Sequence, residues 1–231
     1  MYRDNSYIIS SLLYGMLLGA AAEVAAGYLY VKVFENLTHK YVLHDLGKDK
    51  KSFWSFHFHD HHKAAIKYGM LDPTYFEPWW LNFSRAKEVG FLLGGIALHL
   101  PLAKKHPYFV LGVGIGTLEY YCKHKKAHTD PEWAWDNLQN HVKHHLLDQN
   151  GYWGVTSGLV DRIVGTASKM TEDEWADLRI FYMKRSNAAR DKVEEMARLE
   201  REGHKRYLQS SLENVTKRLY SLLENKTTFI K

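Results

Sequence analysis

The sequence predicts an all-α protein. We expect short membrane-associated helical hairpins that support a cytosolic, histidine-rich helical domain. A C-terminal helical tail is expected to follow. Three observations support this. Long apolar runs recur in residues 7–122, histidines cluster at helical spacings, and the chain from residue 187 onward is rich in charge. No alternation of apolar and polar residues predicts a strand. We therefore divide the chain into a body, residues 1–170, and a charged amphipathic helical tail, residues 171–231.

The first apolar segment, residues 7–34, contains only Glu23 and Lys32 as charges. About 20 apolar residues suffice for a helix that crosses a bilayer. Two further apolar runs, residues 89–103 and 108–122, are shorter and are joined by a polar link. They predict a helical hairpin that spans a thin region or dips part way into a membrane. Buried helices of a soluble protein are the alternative.

The composition narrows the possible partners. The 231 residues include one cysteine, so no internal disulfide can form, and 14% are aromatic, a composition typical of lipid–water interfaces. The net charge of +5 favours anionic lipid or an acidic protein partner. No nucleic-acid motif accompanies that charge, and we expect no nucleic-acid partner.

Histidine carries the functional signal. Of the fourteen histidines, eleven fall in two short windows. The first window holds His39, His44, His57, His59, His61 and His62, and the second holds His124, His128, His141, His144 and His145. The isolated His99, His106 and His204 are expected to be ordinary core or surface residues.

These spacings favour a metal centre. Residues three and four apart share a helix face, so His124 with His128, and His141 with His144 and His145, are each expected to converge. Eleven histidines are more ligands than one ion uses, which predicts two ions. Iron accepts such all-histidine sites. Zinc is the alternative, although structural zinc sites are usually rich in cysteine.

Lysines predict the orientation of the helices. The hairpin tip has Lys104 and Lys105, whereas the opposite side carries more lysines, which places the histidines on the cytosolic side. The lysines of that side are Lys40, Lys48, Lys50, Lys51, Lys123, Lys125, Lys126 and Lys143.

The tail opens with Thr171 and Glu174, which form a capping-box pattern. Leu208, Leu212, Val215, Leu219 and Leu222 then follow at spacings of four and three. We expect this stripe to pack on the body or to pair two subunits as a homo-oligomer.

The order of these motifs resembles the fatty acid hydroxylase/sterol desaturase superfamily, and its fatty acid 2-hydroxylase branch in particular. It runs H-x4-H at 39–44, a second group at 57–62, H-x3-H at 124–128 and H-x2-H-H at 141–145. Residues 150–166, NGYWGVTSGLVDRIVGT, look like the closing segment of that family. The resemblance covers about residues 20–166.

The second motif departs from the family pattern. The family has H-x2-H-H there, but the residue three positions before His61 is Phe58, flanked by His57 and His59. We favour His57 as the ligand, because it stands four residues from His61, and His59 remains the alternative.

The resemblance implies two iron ions, with zinc possible in recombinant material, and dioxygen as co-substrate. It further implies hydroxylation or desaturation of a lipid or fatty-acyl chain at a membrane. Asp60, Asp148 and Asp161 are candidates to orient the ligands, and Glu119 is a candidate buried acid. We find no sequence pattern for binding flavin, haem or an iron–sulfur cluster, so a ferredoxin or small haem protein is expected to supply electrons. A structural or hydrolytic di-zinc protein and a metal-free scaffold are the alternatives, although the H-E-x-x-H pattern of zinc hydrolases is lacking.

Overall fold

The computed structural model describes residues 5–167 and 170–227, with side chains described for 10–167 and 170–218. Its described residues form helices and connecting turns, with no strand, which confirms the predicted all-α class. The α-helices are α1 Asn5–Thr38, α2 His62–Lys67, α3 Phe83–His99, α4 Pro107–Thr129, α5 Pro131–Asn137, α6 Gln139–Leu146, α7 Leu159–Val164 and α8 Glu172–Thr227. Two π-helical turns, His39–Leu46 and His57–His61, and 3₁₀ turns at Pro73–Tyr75, Trp79–Leu81 and Leu100–Lys104 complete the elements.

Close packing of α1 against α4 sets the position of the histidines. A Cβ atom on Gly27 would overlap the backbone of Phe109, and one on Gly112 would overlap the backbone of Val24. Glycine is therefore required at both positions for this helix approach. The two helices run parallel. The π-helical turn after α1, with the first histidine motif, and the carboxyl end of α4, with the third, therefore lie at the same end of the bundle.

At the position of the predicted hairpin, α3 and α4 follow one another through the turn Leu100–Lys104. Its association with a membrane stays a prediction. Two helical segments among the described residues, Ser10–Leu46 and Phe83–Lys104, are long and apolar enough to cross a membrane. Few residues of either apolar stretch are buried, and leucines on both face outward. By length and composition, this confirms the predicted apolar helices at residues 7–34 and 89–103.

The tail helix α8 packs against the histidine-bearing half of the body. Trp175, Leu178 and Tyr182 cover a core that includes Trp135 and Met70. The expected capping box is confirmed at its start: Glu174 N–H donates to Thr171 Oγ1 at 3.3 Å, and Thr171 N–H donates to the Glu174 carboxylate at 2.9 Å.

The predicted leucine stripe leaves the body farther along α8. Leu208, Leu212 and Val215 are exposed. The side chains of Leu219 and Leu222 lie outside the described residues. Of the two predicted uses of the stripe, packing on the body does not occur at the three described positions, and subunit pairing stays a prediction.

Candidate metal centre

Ten buried histidines form two groups of five, and each group can hold a metal ion. Within each group, one ring nitrogen from every member lies within 4.8 Å of the others. The first group is His39, His44, His57, His62 and His144, and the second is His61, His124, His128, His141 and His145. The groups adjoin one another, because the rings of His62 and His145 have centroids 4.2 Å apart.

The spacing of the nitrogens fits ion binding. The Nε2 atoms of His39 and His57 are 3.0 Å apart, as are those of His44 and His62, and those of His128 and His141 are 2.9 Å apart. Two imidazole nitrogens bound at right angles to one ion, each at about 2.1 Å, stand about 3 Å apart. The convergence of Nε2 atoms is therefore that of a ligand set.

Unpartnered nitrogens supply a second test of fit. The Nε2 atoms of His61, His124 and His145 are buried and have no hydrogen-bond partner. A buried polar atom without a partner costs on the order of 1–3 kcal/mol. A bound cation removes this cost, so the residues fit a metal.

The two π-helical turns explain the first group. In a π-helix the backbone hydrogen bond joins residues five apart, so side chains five apart lie close together. His39 and His44 are five apart in the first turn, and His57 and His62 are five apart across the second, where His62 N–H donates to the carbonyl of His57. Both pairs enter the same group.

Ordinary α-helical spacing explains most of the second group. His124 and His128 are four apart on α4, and His141 and His145 are four apart on α6. Residues at this spacing share a helix face. All four lie in the second group.

The adjacent pair His144–His145 is split between the two groups, and so is the pair His61–His62. Successive side chains on a helix point in different directions, so one pair can reach two neighbouring ions. The expectation that His141, His144 and His145 converge together is therefore wrong for His144. His57 and His61, expected to share a face, also lie in different groups.

Backbone carbonyls orient three rings. His39, His128 and His144 each hold a carbonyl oxygen at 2.7 Å from Nδ1: those of Trp153, Met70 and Gly151, respectively. Since a carbonyl only accepts, Nδ1 of each ring carries the proton and Nε2 is left with its lone pair.

The backbone that presents these carbonyls is strained. Among the described residues, the non-glycine positions with positive φ are Met70, at 79°, and Tyr152, at 55°. Met70 supplies one of the three carbonyls, and Tyr152 lies between the residues that supply the other two. Unfavourable φ values persist only where the surroundings enforce them. Here they aim acceptors at the histidine centre.

Two acids orient further rings. His61 Nδ1 is 2.7 Å from Oδ2 of Asp72, and His124 Nδ1 is 2.8 Å from Oε1 of Glu88. Arg85 pairs with Glu88 at 2.7 Å and neutralises its charge. Sequence reasoning missed both acids. The available signal was a single Glu within the apolar α3 and an Asp directly before Pro73.

Burial sets the protonation of the centre. Removal from water, reinforced by neighbouring rings, holds the pKa of His61, His62, His141 and His145 well below the ordinary 6.5. For His128 and His144 burial again lowers the pKa, although the carbonyl partners oppose it. These rings are therefore neutral near pH 7, which is the form that binds metals.

The position of His59 differs from that of the other predicted ligands. It lies outside both groups, and its Nε2 faces the carbonyl oxygen of Lys48 at 2.9 Å. His57 lies within the first group. The geometry favours His57 over His59, because the π-helical turn directs the His59 side chain away from the centre.

The acids chosen from the sequence take other roles. Asp60 is exposed, and Asp148 accepts the backbone N–H of Asn150 at 2.9 Å. Asp161 is buried but does not contact His39 directly. It accepts the N–H of Trp153 at 2.8 Å and so holds the residue whose carbonyl orients the His39 ring. Glu119 is only partly buried and pairs with Lys32 at 2.7 Å, which ties α4 to α1.

An apolar pocket between α1, α3 and α4 opens onto the centre. It has an empty volume of about 820 Å³, part of it open to the surroundings. His39 and His57 line it at one end, and Tyr30 and His99 line it farther along. Residues 30 and 39 are nine apart, a rise of about 14 Å along a helix. The intervening lining is mostly apolar: Val31, Phe34, Leu43, Trp54, Phe56, Phe91, Leu92 and Val113.

Several lysines of the predicted cytosolic side are engaged in contacts within the protein. Lys123 pairs with Glu119 at 2.6 Å, and Lys126 and Lys143 lie over tryptophan rings. Lys50 and Lys51 are exposed on the link between the two π-helical turns.

Comparison of the chain with protein-family models, characterised proteins and solved structures finds no match.

Proposed function

We propose that this protein is a non-haem di-iron oxidoreductase that uses dioxygen to hydroxylate, or to desaturate, an alkyl chain of a lipid or fatty-acyl substrate. We propose further that it belongs with the fatty acid hydroxylase/sterol desaturase superfamily. The observation that carries the proposal is the presence of two adjoining groups of five histidines. Each of the adjacent pairs His61–His62 and His144–His145 contributes one residue to each group.

Five imidazoles per group suit iron better than a structural zinc site. Structural zinc is almost always four-coordinate, and zinc hydrolases commonly use three protein ligands. Iron accepts more nitrogen ligands and still has room for a further one. Bound iron would supply the activation of dioxygen and the removal of hydrogen from an unactivated carbon.

The protein itself contributes orientation, exclusion of water and a place for the substrate. Asp72, Glu88 and three carbonyls fix the tautomers of five of the ten rings and leave Nε2 of each of these five ready to bind. The five are His39, His61, His124, His128 and His144. The apolar pocket reaches His39 and His57, and it would hold an alkyl chain with one carbon beside the first group. Its apolar walls would keep water from the reacting carbon.

The reaction requires an electron donor. Hydroxylation consumes dioxygen, two electrons and two protons, and it yields the hydroxylated chain and water. We propose that a ferredoxin or small haem protein supplies the electrons and approaches the lysine-bearing side of the centre. The apolar α1 and α3 would hold the protein in a membrane, with the histidine centre facing the cytosol.

The test combines metal content with turnover. Membranes carrying the protein are solubilised in detergent, loaded anaerobically with ferrous iron and supplied with ¹⁸O₂, a reducing system and mixed free and esterified fatty acids. We expect about two irons per chain and a product that contains ¹⁸O, or an alkene without it. His62→Ala should abolish product, whereas His59→Ala, the matched control, should retain it. Full metal loading without any oxidised product across free and esterified chains would contradict the proposal.

A further inference from the structure

We propose that Glu77, Glu200 and His204 form a third metal site, separate from the two histidine groups, which binds a divalent ion such as zinc. One ligand atom from each residue lies within 4.8 Å of the other two. Glu77 belongs to the link between the 3₁₀ turns Pro73–Tyr75 and Trp79–Leu81, whereas the other two residues belong to α8. The site goes beyond the proposed function and does not depend on it.

Glu77 is the observation that points to a ligand. Its side chain is 2% exposed, and neither carboxylate oxygen has a hydrogen-bond partner. Burying a charged group without a partner is costly, so such groups are normally paired or bound to a metal. The unpartnered carboxylate belongs to the same three-residue group as Glu200 and His204.

The two residues on α8 have ligand spacing. Glu200 and His204 are four apart on one continuous helix and so share a face. Nδ1 of His204 lies 3.2 Å from the carbonyl oxygen of Glu200. Since that carbonyl accepts, Nδ1 carries the proton and the lone pair of His204 resides on Nε2, which is available to a metal.

The charges around the site favour a cation. Burial, together with the nearby Glu200 carboxylate, raises the pKa of Glu77. Arg201 is a cation close to Glu77. Its Nη2, however, donates to the carbonyl oxygen of Phe76 at 3.3 Å, and its Nε has no partner. Asn82 donates to Glu200 at 3.5 Å. Two carboxylates beside one arginine leave a net negative charge that a divalent ion would neutralise.

The ligand set suits zinc. Zinc binds carboxylate oxygen and imidazole nitrogen at about 2.0–2.2 Å, and three protein ligands leave a fourth position for water. Side-chain adjustments would bring the ligand atoms to these distances, since Glu200 is exposed and His204 only half-buried.

The position of the site determines which parts of the protein a bound ion would hold together. It joins α8 to a segment that also holds Tyr75, whose hydroxyl lies 2.9 Å from Nδ1 of His124 in the second histidine group. Beyond His204, residues 205–210 of α8 are exposed. A bound ion would therefore fasten α8 near the point where it leaves the body, and it would restrain the segment behind the histidine centre.

Zinc binding tests the proposal directly. The detergent-solubilised full chain is equilibrated with excess zinc, desalted and analysed for zinc and protein. We expect about three zinc ions per chain in the wild type and about two in Glu77→Gln, Glu200→Gln and His204→Ala. His59→Ala and Glu213→Gln, an exposed residue on the same helix, are the matched controls and should retain the wild-type value. Equal zinc content in the wild type and all three site variants would overturn the proposal.

Hydrogen exchange gives an independent readout. With the histidine groups already filled, further zinc should slow amide exchange in residues 197–207 of the wild type, because the ion ties this stretch to the body. Unchanged exchange in this stretch at saturating zinc would overturn the proposal. The same slowing in folded Glu200→Gln would also overturn it, since the ion would then lie elsewhere.

Discussion

The Nδ1 atom of His61 lies 2.7 Å from Oδ2 of Asp72, and both side chains are buried. The other oxygen of Asp72 accepts the N–H of Thr74 at 2.9 Å and caps the turn Pro73–Tyr75. One carboxylate therefore orients a ring of the second histidine group and also starts the turn that follows. This contact connects the second histidine group to the turn Pro73–Tyr75.

Replacing Asp72 with Asn should weaken the second group selectively. Asparagine keeps the cap to Thr74 but presents an amide N–H to the His61 ring, so the ring loses its acceptor. We expect metal affinity to fall about 10- to 100-fold for one of the two ions, measured by competition with a chelator. Asp148→Asn, which touches no ligand, is the control, and an equal loss there would contradict the role of Asp72.

Splitting of the His144–His145 pair predicts an additive pattern of metal loss. His144→Ala removes a ligand from the first group and His145→Ala removes one from the second. We expect each variant to lose about one ion under mild chelation, and the double variant to lose about two, because the two ions have separate ligand sets. Elemental analysis measures both. Loss of both ions in each single variant would mean that the groups act as one site.

Much of this arrangement could be predicted from the sequence. The α-helices, the capping box and the two histidine windows follow from apolar runs and residue spacing. The division of ligands into groups could not, because five-residue spacing converges only in a π-helix, and short sequences carry no clear π-helical signal. Asp72 and Glu88 were missed because each is remote in sequence from the ring it orients.

The buried neutral histidines predict a stability that falls in acid. In the unfolded chain each imidazole titrates near pH 6.5, whereas burial holds the pKa of His141 and His145 well below this value in the folded protein. Below pH 6.5 the unfolded state therefore binds more protons, so the free energy of unfolding decreases as pH falls, and it is unaffected by these groups above that pH. Denaturant titrations of metal-free protein should show this slope.

A ligand variant and a surface variant separate this effect from general acid denaturation. His145→Asn should reduce the slope by at most about 1.4 kcal/mol per pH unit, the value for one proton. Ile180→Ala, at an exposed position and without a titratable side chain, should leave it unchanged. A slope that is identical in all three proteins would contradict the assignment to buried imidazoles.

Gly95 offers a way to shorten the apolar pocket. It lines the part of the pocket near His99, and a Cβ atom there would meet nothing within 4 Å. Gly95→Leu should therefore fill the far end without disturbing the helices, and it should shift substrate preference toward shorter chains by several carbons. Product profiles from mixed chain lengths measure this shift.

The neighbouring Gly94 provides the matched control. Its Cβ position is also open, but it does not line the pocket. Gly94→Leu should leave the chain-length profile unchanged, and both variants should keep wild-type metal content. A wild-type profile in Gly95→Leu would mean that the substrate chain lies elsewhere.

The exposed lysines on the link between the π-helical turns make a prediction about electron entry. Lys48, Lys50 and Lys51 are exposed, and Lys48 lies 3.9 Å from the Asp45 carboxylate. Lys123 pairs with Glu119 at the much shorter distance of 2.6 Å, so the first three are the better candidates to attract an acidic carrier. Reversing all three to Glu should slow carrier-driven turnover at low salt, because attraction becomes repulsion. Raising the salt should reduce the difference from the wild type, since the Debye length falls from about 30 Å at 0.01 M to about 10 Å at 0.1 M.

Two controls isolate the effect on the carrier. Turnover driven by a small neutral reductant should be unaffected by the triple substitution. The double variant Lys104→Glu with Lys105→Glu, at the opposite end of the bundle, should keep the wild-type carrier-driven rate. If the triple variant keeps the wild-type carrier-driven rate at low salt, the carrier does not approach through this link, and these lysines serve another contact, such as anionic lipid.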